Sequence, residues 1–356
     1  MKEIIYFLLY FLLLSPLAAE PIKLGMMAPL TGDYASNGEE IKKGIELARD
    51  VLRSQGKETQ IFYEDACLAT QAITATRKFI DIHKINALVG SYCILGMTPT
   101  MKMYEDHKII SFHTSVVTDD IVNGKDYIFT TNVNIKDEAY QMAENISKTG
   151  VKTLAVLCHV SQWGENYNRF VTEKFEQLGG KIVAVESVPF GVNDMKSEIT
   201  RIKSKNPAAL LIVHVGTTLG YALKQISELR LHASRFSVSE ADDGTVVKIA
   251  DKSAEGLTIF VPLPKNESPE MKAFNEFYQK KYKAAPLPLS RHSYDATILT
   301  VNALNECWLD SKCAKDRIYK IKDYSGASGV FTILNNGSTK REFVKRVVKG
   351  GKFITE

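Results

Sequence analysis

Strand-like and helix-like stretches alternate along almost the whole chain, and that order leaves few folds open. Residues 22–27 read as a buried strand. The stretch after them repeats at helical spacing, with Ile41, Ile45, Ala48 and Leu52 on one face. Ser36 with Glu39 three places on makes a capping box for that helix, and Gly56 a stop. A second strand ends in Tyr63-Glu64-Asp65-Ala66-Cys67 and a third in Leu88-Val89-Gly90-Ser91-Tyr92-Cys93, with a helix over 70–83 between them. A helix to about Glu105 and strands at 108–112 and 127–130 follow. A helix at 136–148 then restarts the order, with strands at 153–158, 181–188, 208–213 and 236–238 separated by further helices. Such alternation argues for parallel sheets covered by helices, an α/β fold. In open sheets of this kind ligands bind outside the carboxyl ends of the strands, the edge where Cys67 and Cys93 both fall.

Those two cysteines can be bridged above the sheet, and a bridge needs an oxidising compartment. The N-terminus points to one independently. Lys2, an apolar run over 4–14, Ser15-Pro16 and then Leu17-Ala18-Ala19 read as an export signal over residues 1–19, cleaved near Ala19. No later stretch is long and apolar enough to cross a bilayer. Cys307 and Cys313 are close enough in sequence to staple a helix end to the next turn, and Cys158 sits in an apolar strand as a buried thiol. None of the five has the paired spacing of a structural zinc site.

The formal net charge is +4, and removing residues 1–19 takes away one lysine and one glutamate, so it does not change. No basic stripe with interleaved aromatics is present, which argues against nucleic acid as a partner. There is no nucleophile elbow, phosphate loop, dinucleotide fingerprint or His-Glu-x-x-His, so neither an enzyme nor a cofactor is expected. His113, His159 and His214 each lie at or near a strand end, but no spacing among them supports a metal, and none is assigned. Glu240 also falls at a strand's carboxyl end, where a carboxylate suits a ligand ammonium. Trp163 opens a helix, where it can stack on a ligand or simply pack.

The last third is harder to place. Ser268-Pro269-Glu270 starts a helix to about Lys283, and Tyr294, Ile298, Val301, Leu304 and Trp308 mark a longer one. Asn335-Asn336-Gly337-Ser338 then separates 329–334 from 341–348, which reads as a hairpin.

As a set, these motifs resemble type I periplasmic substrate-binding proteins of the branched-chain amino acid and amide-binding group. The resemblance is carried by Met26-Met27-Ala28-Pro29-Leu30-Thr31-Gly32, the glycines Gly38 and Gly44, the two cysteine-ended strands, Gln162-Trp163-Gly164-Glu165-Asn166-Tyr167, Ala254-Glu255-Gly256 and Tyr294-Asp295-Ala296. It implies two Rossmann-like lobes with parallel sheets joined by a three-segment hinge. Lobe 1 is then 20–133 plus 263–336, and lobe 2 is 134–262 plus 337–356. It also implies a monomer in the periplasm that captures a small polar ligand, foremost an amino acid, and delivers it to an ABC transporter permease in the inner membrane. The family's cysteine pair matches Cys67 and Cys93. Its ligand-carboxylate site matches Tyr92 and Ile94 beside the second cysteine, and His113, Thr114 and Ser115 after the fourth strand. The His113 carbonyl is then an acceptor for a ligand amine. Its ammonium partner matches Glu240, and its stacking aromatic matches Trp163. Ile94 departs from the serine usual in amino acid binders, so amides, urea derivatives and aromatic acids stay open as ligands. A sensory binder of the same fold is the alternative role.

Overall fold

The computed structural model describes residues 20–32 and 34–356; the expected export signal lies outside the described residues. The chain builds two open sheets. The first has the order β2-β1-β3-β4-β5, all parallel, from β1 (Ile22–Ala28), β2 (Thr59–Asp65), β3 (Ala87–Ser91), β4 (Ile110–His113) and β5 (Ile128–Thr130). The second sheet runs β15-β14-β10-β9-β8-β6-β7. Its parallel part is β6 (Thr153–His159), β7 (Lys181–Val188), β8 (Ala209–Val213), β9 (Ser234–Ser237) and β10 (Thr258–Val261). A small antiparallel sheet joins β11 (Tyr324–Gly326), β12 (Gly329–Ile333) and β13 (Thr339–Lys340).

The ends of the chain are interleaved with these sheets. The helix Pro288–Glu306 returns to pack on Ala35–Ser54 over the first sheet, so Ala296, Val301 and Leu304 share one core with Leu24, Ile41 and Val89. β14 (Val344–Lys349) and β15 (Lys352–Thr355) instead run antiparallel beside β10 in the second sheet. The expected hairpin of 329–334 with 341–348 is therefore half right: β12 turns back onto β13, and the chain then leaves for the other sheet. The two strands share an alternating pattern, and only the partner sheet decides between them.

Two glycines explain how closely these parts approach. A Cβ on Gly44 would lie 2.1 Å from the Ser290 carbonyl oxygen, so the two long helices meet only because that position has no side chain. The Ser293 hydroxyl seals the contact by donating to the Ile41 carbonyl at 2.9 Å. Gly90 sits at φ +85 in an irregularity of β3, which turns Ser91 and Tyr92 out toward the sheet edge. The expected capping box at Ser36 does not form. The helix begins at Ala35 with Tyr34 at its cap, which leaves Ser36 inside the first turn. The helix expected to reach Glu105 is broken into Ile94–Met97 and Met101–Asp106.

Where the chain crosses between sheets it is tied by buried polar bonds. Asp295 accepts from the Ala327 and Ser328 amides at 2.8 and 2.7 Å and from the Ser328 hydroxyl at 2.5 Å. Arg341 donates to the Ser328 carbonyl at 2.7 Å and to the Thr131 carbonyl, and its guanidinium lies over the Phe331 ring. The Thr339 hydroxyl donates to the Asn132 carbonyl at 2.7 Å. Near the opposite edge Cys67 is bonded to Cys93 (Cα–Cα 5.1 Å), tying the segments that follow β2 and β3 to each other across the end of β1. Replacing both by serine should cost about 3 kcal/mol of stability by freeing that loop in the unfolded chain. Denaturant unfolding without reductant measures it; no change would mean that the strand ends are held without the bond.

Candidate ligand-binding cleft

Every residue proposed for the site lies at or just past the carboxyl end of a strand or at the start of the helix that follows. On the first sheet, Ser91 and His113 end β3 and β4, and the Ser91 hydroxyl is hydrogen-bonded to His113 Nδ1. Burial holds the His113 ring neutral, pushing its pKa down to about 3, and leaves Nε2 enclosed without a partner. The His113 carbonyl, read from the sequence as an acceptor for a ligand amine, is instead taken by the Thr131 amide at 3.2 Å and the Thr130 hydroxyl at 3.1 Å. Pairing of β4 with β5 turns that carbonyl into the sheet.

Thr114 is enclosed as well, its hydroxyl donating to the Ser91 carbonyl at 3.2 Å. Ser115 donates its hydroxyl proton to the Tyr92 carbonyl at 2.6 Å. That hydroxyl can therefore accept from a ligand but has no proton left to offer a carboxylate. The backbone N–H groups of Ile94 and Ser115, by contrast, make no bond among the described residues. Tyr92 receives the Asn37 amide on its hydroxyl at 2.7 Å, and burial raises its pKa. Ile94 packs against the cores of both sheets, so a side chain in place of the family's hydroxyl acts as an apolar contact between the lobes.

The second sheet supplies Trp163 and Glu240. Trp163 lies in the first turn of the helix Gln162–Gln177, capped by the Ser161 hydroxyl, which accepts from the Gly164 amide at 3.2 Å. Its indole nitrogen is buried without a partner, and its ring lies 6.1 Å from His159. Glu240 sits in a single 3₁₀ turn, Ser239–Ala241, just after β9. Burial, and secondly the charge of Glu138, raises its pKa to about 8, and its Oε2 has no partner. Glu138 accepts from the Ser239 amide at 2.8 Å and is itself raised by burial. Burial thus favours the protonated form of both carboxyls, and a cation beside Glu240 would favour its ionised form. A cavity of about 280 Å³ opens beside Glu240 at the chain crossings, lined there by Asn132, Asp242, Arg291 and Ser328.

Four residues with no assigned role join the site. Tyr34, at the start of the helix that follows β1, stacks on Phe190, which follows β7, at 5.3 Å and 29°. His159 bridges from Phe190 at 6.0 Å to His214 at 5.4 Å. The Cys158 carbonyl lies alongside the His214 ring, yet neither ring nitrogen reaches hydrogen-bond geometry. The histidines' strand-end positions were readable from sequence; their contact with Phe190, in a loop without pattern, was not. Among the described residues no group of three histidine, cysteine or acidic side chains is placed to hold a metal.

Two open parallel sheets with their functional residues gathered at the strand ends, tied by three chain crossings, define a two-lobed solute-binding fold. Residues 21–352 match the periplasmic binding protein family, and the chain belongs to it. A leucine-, isoleucine-, valine-, threonine- and alanine-binding protein of Pseudomonas aeruginosa is 25% identical over 278 residues, covering 74% of this chain and 73% of its own. Among solved structures, the leucine-binding protein LivK of Thermotoga maritima has a TM-score of 0.83 at 24% identity, covering 94% of this chain and 97% of its own. A solute-binding protein from R. palustris in complex with benzoate has a TM-score of 0.85 at 20% identity, covering 94% and 95%.

Proposed function

We propose that the cleft holds a small amino acid, with its carboxylate on the backbone N–H groups of Ile94 and Ser115 and its ammonium on Glu240, for delivery to an ABC transporter permease. The observation that carries this reading is the enclosed, unpartnered Oε2 of Glu240 at a strand end. A buried carboxylate without a counter-charge is costly, and a ligand ammonium relieves that cost. The names of the curated relatives, which bind branched-chain amino acids, support the same ligand class. Tyr92 and Thr114 shape the first-lobe wall, His113 presents Nε2, and Trp163 covers the ligand from the second lobe. Lobe 1 is 20–133 plus 263–336 and lobe 2 is 134–262 plus 337–356, a division that sheet membership supports except at the last boundary, where β13 stays with β12 and moves the crossing past Lys340. The chain is exported by a signal cleaved near Ala19, works as a monomer and binds its ligand without turning it over.

A second reading has its own observation. The run Tyr34, Phe190, His159 and Trp163 is an aromatic wall, and a fold neighbour carries benzoate, so an aromatic acid is the competing ligand. A thermal-shift screen of the chain from Glu20 against amino acids, amides, urea and aromatic acids decides between them. A ligand at a hundred times its dissociation constant stabilises by about 2.7 kcal/mol. A response confined to aromatic acids rejects the amino acid assignment.

The pH dependence separates the two further. Glu240 titrates at about 8 when unliganded and must be ionised against an ammonium. Affinity for an amino acid should therefore rise about tenfold per pH unit up to that value and then level, with one proton released on binding. Calorimetry in buffers of different ionisation enthalpy reads that proton directly. For the free protein the sign is opposite. Folding lifts Glu240 from 4.5 to about 8, so stability is lost as pH rises through that window.

A further inference from the structure

At the carboxyl edge of the second sheet, ring nitrogens are enclosed that no protein group answers. The sheet order β9-β8-β6 sets three strand ends side by side: Glu240 lies three residues past β9, His214 directly follows β8, and His159 ends β6. Cys158 pairs with Val213, so the two histidines leave their strands in register, and their rings lie 5.4 Å apart. The Trp163 ring is 6.1 Å from His159. His159 also meets Phe190, which stacks on Tyr34 beyond β1 of the first sheet, so the cluster faces the space between the two sheets. Both nitrogens of His214, Nδ1 of His159 and Nε1 of Trp163 are enclosed without a hydrogen-bond partner among the described residues. The backbone there is satisfied, since the His214 carbonyl accepts from the Ser237 hydroxyl at 3.3 Å. Buried side-chain polar atoms in native proteins are nearly always answered, and each one left bare is costly. Four of them in one cluster at the ligand edge mark a place where the ligand brings the partners.

The nitrogens themselves say what those partners must be. Trp163 Nε1 carries a proton and can only donate. The Cys158 carbonyl beside the His214 ring favours the tautomer with its proton on that side, which leaves the opposite nitrogen as an acceptor. His159 Nδ1 takes either role according to its tautomer. Burial, and for His214 secondly the neighbouring His159, disfavours the charged form of both imidazoles. The cluster therefore offers donor and acceptor together and no fixed charge. An aliphatic side chain would cover these nitrogens and answer none. A carboxylate supplies acceptors only and an ammonium or guanidinium donors only, and each sets a charge among neutral rings. A carboxamide is neutral, accepts on its oxygen and donates from its nitrogen. Neighbouring strands lie about 4.8 Å apart, so the cluster begins one strand from Glu240, within reach of a short side chain on a ligand whose ammonium rests there.

We propose that His159, His214 and Trp163 select an amino acid with a neutral carboxamide side chain. The assignment rests on the amino acid reading of the cleft, with the ammonium on Glu240, and adds what the side chain must be. The test is calorimetry of the chain from Glu20 to Glu356 with L-glutamine, L-asparagine, L-leucine and L-glutamate. The better-bound carboxamide should exceed leucine and glutamate by about a hundredfold or more, because a site built to hydrogen-bond its substrate rejects analogues that leave its buried groups unpaired. Trp163→Phe keeps a ring and removes only the donor, and should lower the ratio of carboxamide to leucine affinity about tenfold. His214→Leu removes the acceptor and should lower that ratio at least as far. Thermal unfolding of each unliganded variant checks that it is folded; if His214→Leu is not, Trp163→Phe carries the test. Leucine or glutamate binding as tightly as the better carboxamide would overturn the assignment and leave the amino acid reading standing. A ratio that the folded variants do not change would do the same. Binding of none of the four would overturn the amino acid reading, and the assignment with it.

Discussion

Glu240→Gln is expected to weaken binding of an ammonium-bearing ligand by about 30-fold or more, because truncating one side of an enclosed charge pair costs about 2–5 kcal/mol. The substitution keeps the shape of the side chain and removes only its charge, so packing around the 3₁₀ turn is preserved. The same variant should bind the matched ligand without an amine nearly as well as the parent does. It should also abolish the proton released on binding, since the group raised to about 8 no longer titrates. Calorimetry on an amino acid and its des-amino analogue, with both proteins, gives the four affinities needed. Equal losses for the two ligands would remove Glu240 from the ammonium site and shift weight to the aromatic acid reading.

The largest stability effect should come from the crossings. Asp295 is fully enclosed and accepts three hydrogen bonds, and Arg341 is half-buried behind Ser328, with burial pushing its pKa down to about 10. Asp295→Ala leaves the Ala327 and Ser328 donors unanswered and strips Arg341 of its counter-charge. The expected loss is about 3–5 kcal/mol, at about 1–3 kcal/mol for each buried donor left without an acceptor. Ser328→Ala should cost about 1 kcal/mol, since the backbone donors still reach the carboxylate. Urea unfolding of the two variants against the parent measures both. A loss for Asp295→Ala no larger than for Ser328→Ala would mean that the network is solvated and that the lobes are joined mainly by the chain itself.

The sequence carried much of this architecture because β–α alternation is a local pattern. The buried runs at 87–91, 153–159 and 209–213 and the helical faces through Ile41 or Phe170 are each legible within a dozen residues. What was misread depended on distant partners. Strands β13 and β14 sit four residues apart and belong to different sheets, a choice made by β12 and β10 rather than by the strands themselves. The His113 carbonyl looked free until β5 was laid beside β4. The site divides the same way. Glu240 and Trp163 could be placed at element ends from local pattern. The stack of Tyr34 on Phe190 joins two loops with no periodicity to announce them. Glu138 was hidden because an acid in a helix's first turn has an ordinary explanation in the helix dipole.

The interleaving of the chain carries a consequence for how the molecule is made. The first core is incomplete until residues 296–333 pack onto it, and the second sheet lacks its outer strands until 344–355 arrive. A ribosome that has finished either early half has therefore produced a partner without its mate. Contacts that span most of the sequence are slow to form. Neither lobe can be completed until those late segments are synthesised, a delay that suits a polypeptide which must thread a narrow translocation channel before it folds.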